Sequence, residues 1–368
     1  MNRLQRLLRG GLLAAGVSLQ LLLDPLSAAH AAAVGDLLER PAQMSIRASS
    51  AVILAVANAG SRLVAVGESG TVLLSDDNGR TWRQAGSVPA SVALTGVQFV
   101  SAETGWAIGH AGVVLRTDDG GDTWTRQLDG RQIGPLAIEE ARQLQASGDA
   151  GGRLMRDAEL LAADGPDKPL LGLYFADARH GWVVGAYGLA LETEDGGRTW
   201  RTIMSRIPNT GARHLYSVFS TADGLLVAGE QGRLFASSDG GHDFSTIESG
   251  YAGTWFGGMP LGKARLLFFG LRGNAWAQEA DGRWRQLDVG QAATLTAGLR
   301  LDDGHYLLVD EGGRLYRGAT DGERLSAAGA APVAGVSGLV RAADGALILA
   351  SMRGPYRLEP GSLNGGAQ

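Results

Sequence analysis

The sequence predicts an all-β fold, a seven-bladed β-propeller of four-stranded blades with a helical insert between blades two and three. Three observations predict it. A turn phrase recurs: S-D-D-N-G-R-T-W at Ser75–Trp82, T-D-D-G-G-D-T-W at Thr117–Trp124, T-E-D-G-G-R-T-W at Thr193–Trp200 and, worn, S-S-D-G-G-H-D-F at Ser237–Phe244. A tetrad, Gly-x-x-Gly in its full form, precedes each phrase and continues in weaker copies. The tetrads begin at Gly67, Gly109, Gly185, Gly229, Gly270, Asp310 and Ser351, spaced 40–44 residues apart except for one interval of 76. Each unit also holds four short strand candidates, and a period of about 40–45 residues with four strands marks propeller blades.

The elements follow in order. Residues 1–31 read as a secretory signal peptide. Arg3, Arg6 and Arg9 form a basic start, Gly10–Leu23 is apolar and short, and Ala29-His30-Ala31 fits a small-x-small cleavage site. The chain is therefore expected to be exported to the periplasm. Residues 32–50 form an N-terminal segment. Within it, Asp36–Ser45 is the candidate for the outer strand that the last unit lacks, which would close the ring by pairing its two ends. Residues 51–360 form the propeller. In its second unit the strand candidates are Thr95–Val100, Gly105–Ile108, Gly112–Arg116 and Thr123–Gln127, rich in Val, Leu, Trp and Thr and bounded by Gly and Asp. The long interval leaves an insert at 130–169. There Ile133, Leu136, Ala137, Ala141 and Leu144, then Leu154, Ala158 and Leu161, recur at helical spacing around a break at Gly148–Gly152. Residues 361–368 read as a disordered tail.

Composition agrees with one large domain and excludes several functions. Of 368 residues 56 are Gly and 45% are hydrophobic, enough for an extensive core. No cysteine is present, which excludes disulfides, thiol chemistry and lipidation at a cysteine behind the leader. The net charge is −5, and the leader's three arginines and one aspartate leave the remainder more acidic still. An acidic chain without a basic run is a poor nucleic-acid binder. No basic amphipathic helix points to direct lipid binding.

The recurring phrase has a mechanical reading. Asp77, Asp119, Asp195 and Asp239 accept N–H groups across a hairpin turn, and glycine supplies the positive φ. Trp82, Trp124, Trp200 and Phe244 plug the gap between turn and sheet. The acid spacing lacks the bidentate Glu of an EF-hand loop, so no metal or other cofactor is expected. These turns are Asp-boxes. Over about Ala51 to Leu358 the chain resembles the photosystem II stability and assembly factor family of seven-bladed propellers, whose G-W-x-V-G…G-x-x-L-x-T-x-D-G-G-x-T-W run is matched at Gly181–Trp200. The resemblance implies a non-enzymatic, exported scaffold or assembly factor for a membrane protein complex. For relatives in non-photosynthetic bacteria it implies work beside envelope proteins, notably resistance–nodulation–division (RND) type lipid exporters.

In a four-stranded blade the turn between strands two and three opens on one face of the ring, and the Asp-box turn on the other. The tetrads therefore surround the channel mouth. They present unlike side chains, Glu68, His110, Tyr187, Glu230, Arg272, Glu311 and Arg353. Variety on a repeated scaffold is the pattern of a partner-binding face, with solvated turn residues the plainer alternative. The insert leaves from the same face and is expected to cap the channel or dock a partner helix. The competing function is a sialidase-like glycoside hydrolase, since such enzymes also carry Asp-boxes. The triplet Arg206-Ile207-Pro208 matches theirs, yet it follows the third box instead of preceding them all. Clamp arginines beyond Arg272 and Arg353 are not evident, and no catalytic residue is assigned.

Overall fold

The computed structural model describes residues 36–148, 152–262, 265–322 and 324–364; the expected signal peptide lies outside the described residues. Short runs of two to seven residues, the inner ones mostly apolar, fold as antiparallel strands. They form seven sheets in chain order, spanning 53–84, 94–128, 170–202, 215–246, 255–287, 295–330 and 338–358. The second blade consists of Leu94–Phe99, Gly105–Gly109, Val114–Thr117 and Thr125–Leu128, each end within two residues of expectation.

The first strands of successive blades touch one another around the ring, and Ile53–Ala59 meets Gly338–Arg341. The first strand of each blade is therefore innermost, and the ring is closed. The core is a set of apolar slabs between adjacent sheets. Between blades two and three, Trp106 stacks on Phe175 at 3.8 Å. Between blades seven and one, Ile348 and Ala350 pack against Ile53, Leu63 and Leu73. Burying one such large side chain contributes about 1.5–3 kcal/mol, so each slab welds two neighbours.

Six blades have four strands and the seventh has three. The expected closing strand at Asp36–Ser45 does not form; that segment is irregular and runs along blades one and two. Ala42 N–H donates to Val88 O at 3.0 Å, Ser91 N–H donates to Leu37 O at 2.9 Å, and Leu38 is buried among Val88, Val113 and Trp124. Burial of Leu38 draws the segment there, and Pro41 supplies no donor for a ladder. The seam between blades seven and one is closed by side chains instead. Arg357 donates to Asn78 O at 2.6 Å, Asn58 to Arg341 O at 3.1 Å and Ser337 to Ile53 O at 3.3 Å. The expected disordered tail is ordered at its start: Ser362–Asn364 forms a 3-10 turn, and Leu363 packs against the slab between blades six and seven.

Two helices, α1 (Gly130–Ser147) and α2 (Gly152–Asp164), stand in the chain between the outer strand of blade two and the inner strand of blade three. Asp129 starts α1 with a capping box: its carboxylate accepts Arg131 N–H, and Gln132 Oε1 accepts Asp129 N–H, both at 3.0 Å. Gly134 lies where a Cβ would strike Ala162, so small residues let the helices close. Glu140 accepts the hydroxyls of Thr202 and Ser205, pinning α1 to the outer edge of blade three. At its start α1 also packs on the tetrad turn of blade two, where Ile133 and Gly130 lie against Gly112. Among the described residues no helix is long and apolar enough to cross a membrane.

Candidate partner-binding face

The ring has two rims, and the sequence builds them differently. On one rim the Asp-boxes close on themselves. Asp119 Oδ1 accepts Thr117 Oγ1–H at 2.8 Å and Thr123 N–H at 2.9 Å, and Oδ2 accepts Thr123 Oγ1–H at 2.6 Å. Trp124 donates its indole N–H to Gly121 O at 2.9 Å. Asp77 and Asp195 repeat the pattern through Ser75 and Thr81, and through Thr193 and Thr199. Asp239 keeps Ser237 and the turn N–H groups, but Asp243 stands where the others have Thr. Hydrogen bonds from Thr81 and Ser75 hold the Asp77 carboxyl well below the usual range. At Asp119 burial opposes ionisation, and the bonds from Thr123 and Thr117 outweigh it.

Arginines then fasten each box to the preceding blade, a feature with no counterpart in the sequence reading. Arg62 reaches Gly120 O at 3.2 Å and Asp122 at 2.8 Å, Arg116 reaches Gly196 O at 3.0 Å, and Arg357 takes the first box. Arg206 belongs to the same set, bound to Glu192 at 2.9 Å and Gly241 O at 3.1 Å. Its role in the Arg-Ile-Pro triplet is a fastening between blades, which removes it as a substrate clamp.

On the opposite rim each tetrad turns sharply. Gly67 packs so closely on Val52 O that a Cβ would collide, and Gly70, with φ +72°, does the same on Ala90 O. Where glycine is replaced, a side chain ties the turn. Asp310 accepts Gly312 N–H, Arg314 N–H and Tyr316 O–H, each at 2.9 Å, and Ser351 donates to Gly354 O at 2.7 Å. Burial, with help from Asp310, pushes the Tyr316 phenol up to about 12.

The structure sorts the seven predicted face residues into two positions. Glu68, His110, Glu230 and Glu311 occupy the second place of the tetrad; Tyr187, Arg272 and Arg353 occupy the third. The glutamates are partly scaffold. Glu68 accepts Val52 N–H at 2.9 Å, Glu230 accepts His214 N–H at 3.1 Å and Glu311 accepts Thr294 N–H at 3.3 Å, each just before or at the start of its blade's inner strand. Tyr187 and Arg272 adopt positive φ of 55° and 57°, which projects them from the turn, and Tyr187, Arg272 and Arg353 are all exposed. His110 is exposed as well.

Sequence reasoning missed a second ring of positions. Six inner strands carry a bulge near their tetrad end, at Leu54, Thr95, Leu171, Tyr216, Phe256 and Thr296. Superposing the first strands of the repeats would have aligned these residues. Tyr216 and Phe256 make the ring aromatic over blades four and five. His214 joins them to Tyr187, whose N–H it accepts on Nδ1 at 3.1 Å. Burial, and then the Glu230 charge, raise the Tyr216 phenol. Among the described residues no group of three acidic, His or Cys side chains forms a metal site.

Comparison with known proteins fits this architecture. A family profile described as "Photosynthesis system II assembly factor YCF48" matches residues 41–118 and 164–362. The chain belongs to this family. The match leaves out the stretch that holds α1 and nearly all of α2, so the insert lies outside the family's shared pattern. A curated family relative, the photosystem II assembly lipoprotein Ycf48 of Synechococcus sp. (strain CC9902), is 28% identical over 161 residues, 42% of this chain and 47% of that protein. The alignment thus spans about half of that relative's length. A solved structure of YCF48 bound to D1 peptide aligns over 87% of this chain and 96% of its own, with a TM-score of 0.60 and 15% identity. The GH74 xyloglucanase of Xanthomonas campestris aligns over 86% of this chain and 53% of its own, at TM-score 0.57 and 14% identity. At such identities the structures share the fold alone, and the fold serves both binders and glycosidases.

Proposed function

We propose that this family member is a non-enzymatic, exported scaffold that assists assembly of a membrane protein complex, gripping its partner with the tetrad face and steadying it with the helical insert. One observation carries the reading. Recurring turns fix the backbone of one face while Tyr187, Arg272, Arg353 and His110 stand exposed on it. The relatives' printed role, photosystem II assembly, supports an assembly function, and the YCF48 structure bound to D1 peptide supports polypeptide recognition. The signal-like N-terminal sequence and the relative's description as a lipoprotein support a periplasmic location. The partner proposed here is an envelope transporter of the RND type. The test is crosslinking followed by affinity capture from membranes. The full chain captures an envelope membrane protein; a Tyr187→Ala/Arg272→Ala/Arg353→Ala triple variant loses it, and a variant lacking 130–169 captures it less. Undiminished capture by both variants contradicts the reading.

A further inference from the structure

An aromatic strip crosses the tetrad face from blade three to blade five. Tyr187 is 58% exposed, and its ring lies 5.0 Å from that of His214. His214 is 6.4 Å from Tyr216, which meets Phe256 edge-on at 5.0 Å. Tyr216 and Phe256 are bulge residues of inner strands, so the strip descends from a tetrad to the channel wall. Other blades manage the same bulge with Leu or Thr, so the fold does not require aromatic rings there. Glu230 borders the strip. One of its oxygens accepts His214 N–H at 3.1 Å, and Oε1 carries no hydrogen bond among the described residues. Aromatic faces beside a carboxylate attract a cation. The chain already places one there: Lys168 Nζ lies 5.7 Å from the Tyr187 ring centre, its charge balanced by Asp164 at 3.5 Å and Asp167 at 3.3 Å.

We propose that Tyr187, His214, Tyr216 and Phe256, with Glu230, form a cation-accepting subsite that holds a lysine or arginine side chain of the partner polypeptide. The nature of the partner rests on the scaffold reading above; the binding chemistry does not. The test titrates the full chain with the peptides Gly-Gly-Arg-Gly-Gly, Gly-Gly-citrulline-Gly-Gly and Gly-Gly-Asp-Gly-Gly, following tyrosine ring signals by NMR, with phosphatidylcholine vesicles in a separate sedimentation arm. The arginine peptide shifts the Tyr187 and Tyr216 signals. Glu230→Gln weakens its binding about fivefold or more while retaining an amide oxygen for His214 N–H, and Tyr216→Leu does likewise. Four results would each overturn the subsite: equal binding of the citrulline peptide, no binding of the arginine peptide, binding of vesicles alone, or stronger binding of the aspartate peptide, which the chain neighbours Arg213 and Arg233 would favour. Failure of the peptides with partner capture intact removes the subsite and leaves the scaffold reading. Peptide binding without any envelope partner does the reverse.

Discussion

On the box rim, Asp119 closes on Thr117 and Thr123, and the second-box carbonyl of Gly120 is taken by Arg62 of the blade before it. On the tetrad rim, built from the same strands at their other ends, Tyr187, Arg272 and Arg353 stand exposed above the turns. The difference teaches which rim the repeat spends on its own structure. The rim whose sequence repeats most faithfully has its box carboxylates satisfied internally, although the Trp200 indole N–H is buried without a partner. The rim whose side chains vary leaves Tyr187, Arg272 and Arg353 exposed.

That contrast can be broken by substitution, starting where the effect is greatest. Trp124 is 3% exposed, and Trp124→Ala leaves a cavity costing about 3–5 kcal/mol, read as a fall in the urea midpoint. Unchanged stability would mean that the box aromatics are not the fastening described. Asp119→Ala strands two hydroxyls and an N–H and costs about 2 kcal/mol; Asp119→Asn, which keeps one acceptor, costs less. The same carboxylates set an acid limit. Their folded pKa values lie below the usual value near 3.8, so their contribution is complete above about pH 4 and is lost as pH falls through the lowered values. Urea midpoints at about pH 7 and pH 3 should therefore differ less for Asp119→Ala than for the parent.

Smaller effects sharpen the comparison. Arg357 binds Asn78 O across the seam and Asp344 within its own blade, and holds the Asp344 carboxyl down to about 2. Arg357→Ala loosens the one seam not reinforced by chain continuity, lowering Tm by a few degrees in calorimetry. The smallest effect belongs to the tetrad rim. Tyr187→Ala, Arg272→Ala and Arg353→Ala each shift stability by about 0.5 kcal/mol or less in urea titrations. A loss as large as that of Asp119→Ala would place these residues in the scaffold.

Most of the ring was legible because its signals are local. Strand runs, box turns and tetrads each lie within a few residues, and their period sets the blade count. The seam was not, because it depends on where Leu38 finds a core, and the sequence shows only that Asp36–Ser45 is available. The tetrad turns were legible as locations, but the contacts of each side chain on them were not. Glu68, Glu230 and Glu311 read as free acids, yet each returns to a backbone N–H sixteen or seventeen positions earlier in the chain. Tyr216 and Phe256 went unread because a bulge in an inner strand leaves no mark on the repeat's glycine pattern.

The most direct measurement places a photo-crosslinking amino acid singly at Tyr187, Arg272 and Arg353 on one rim, and at Arg198 and His242 on the other, in the full chain in its native envelope. Crosslinks to an envelope membrane protein from the first three positions and not from the last two are the predicted result. Crosslinks concentrated at Arg198 and His242 would contradict it.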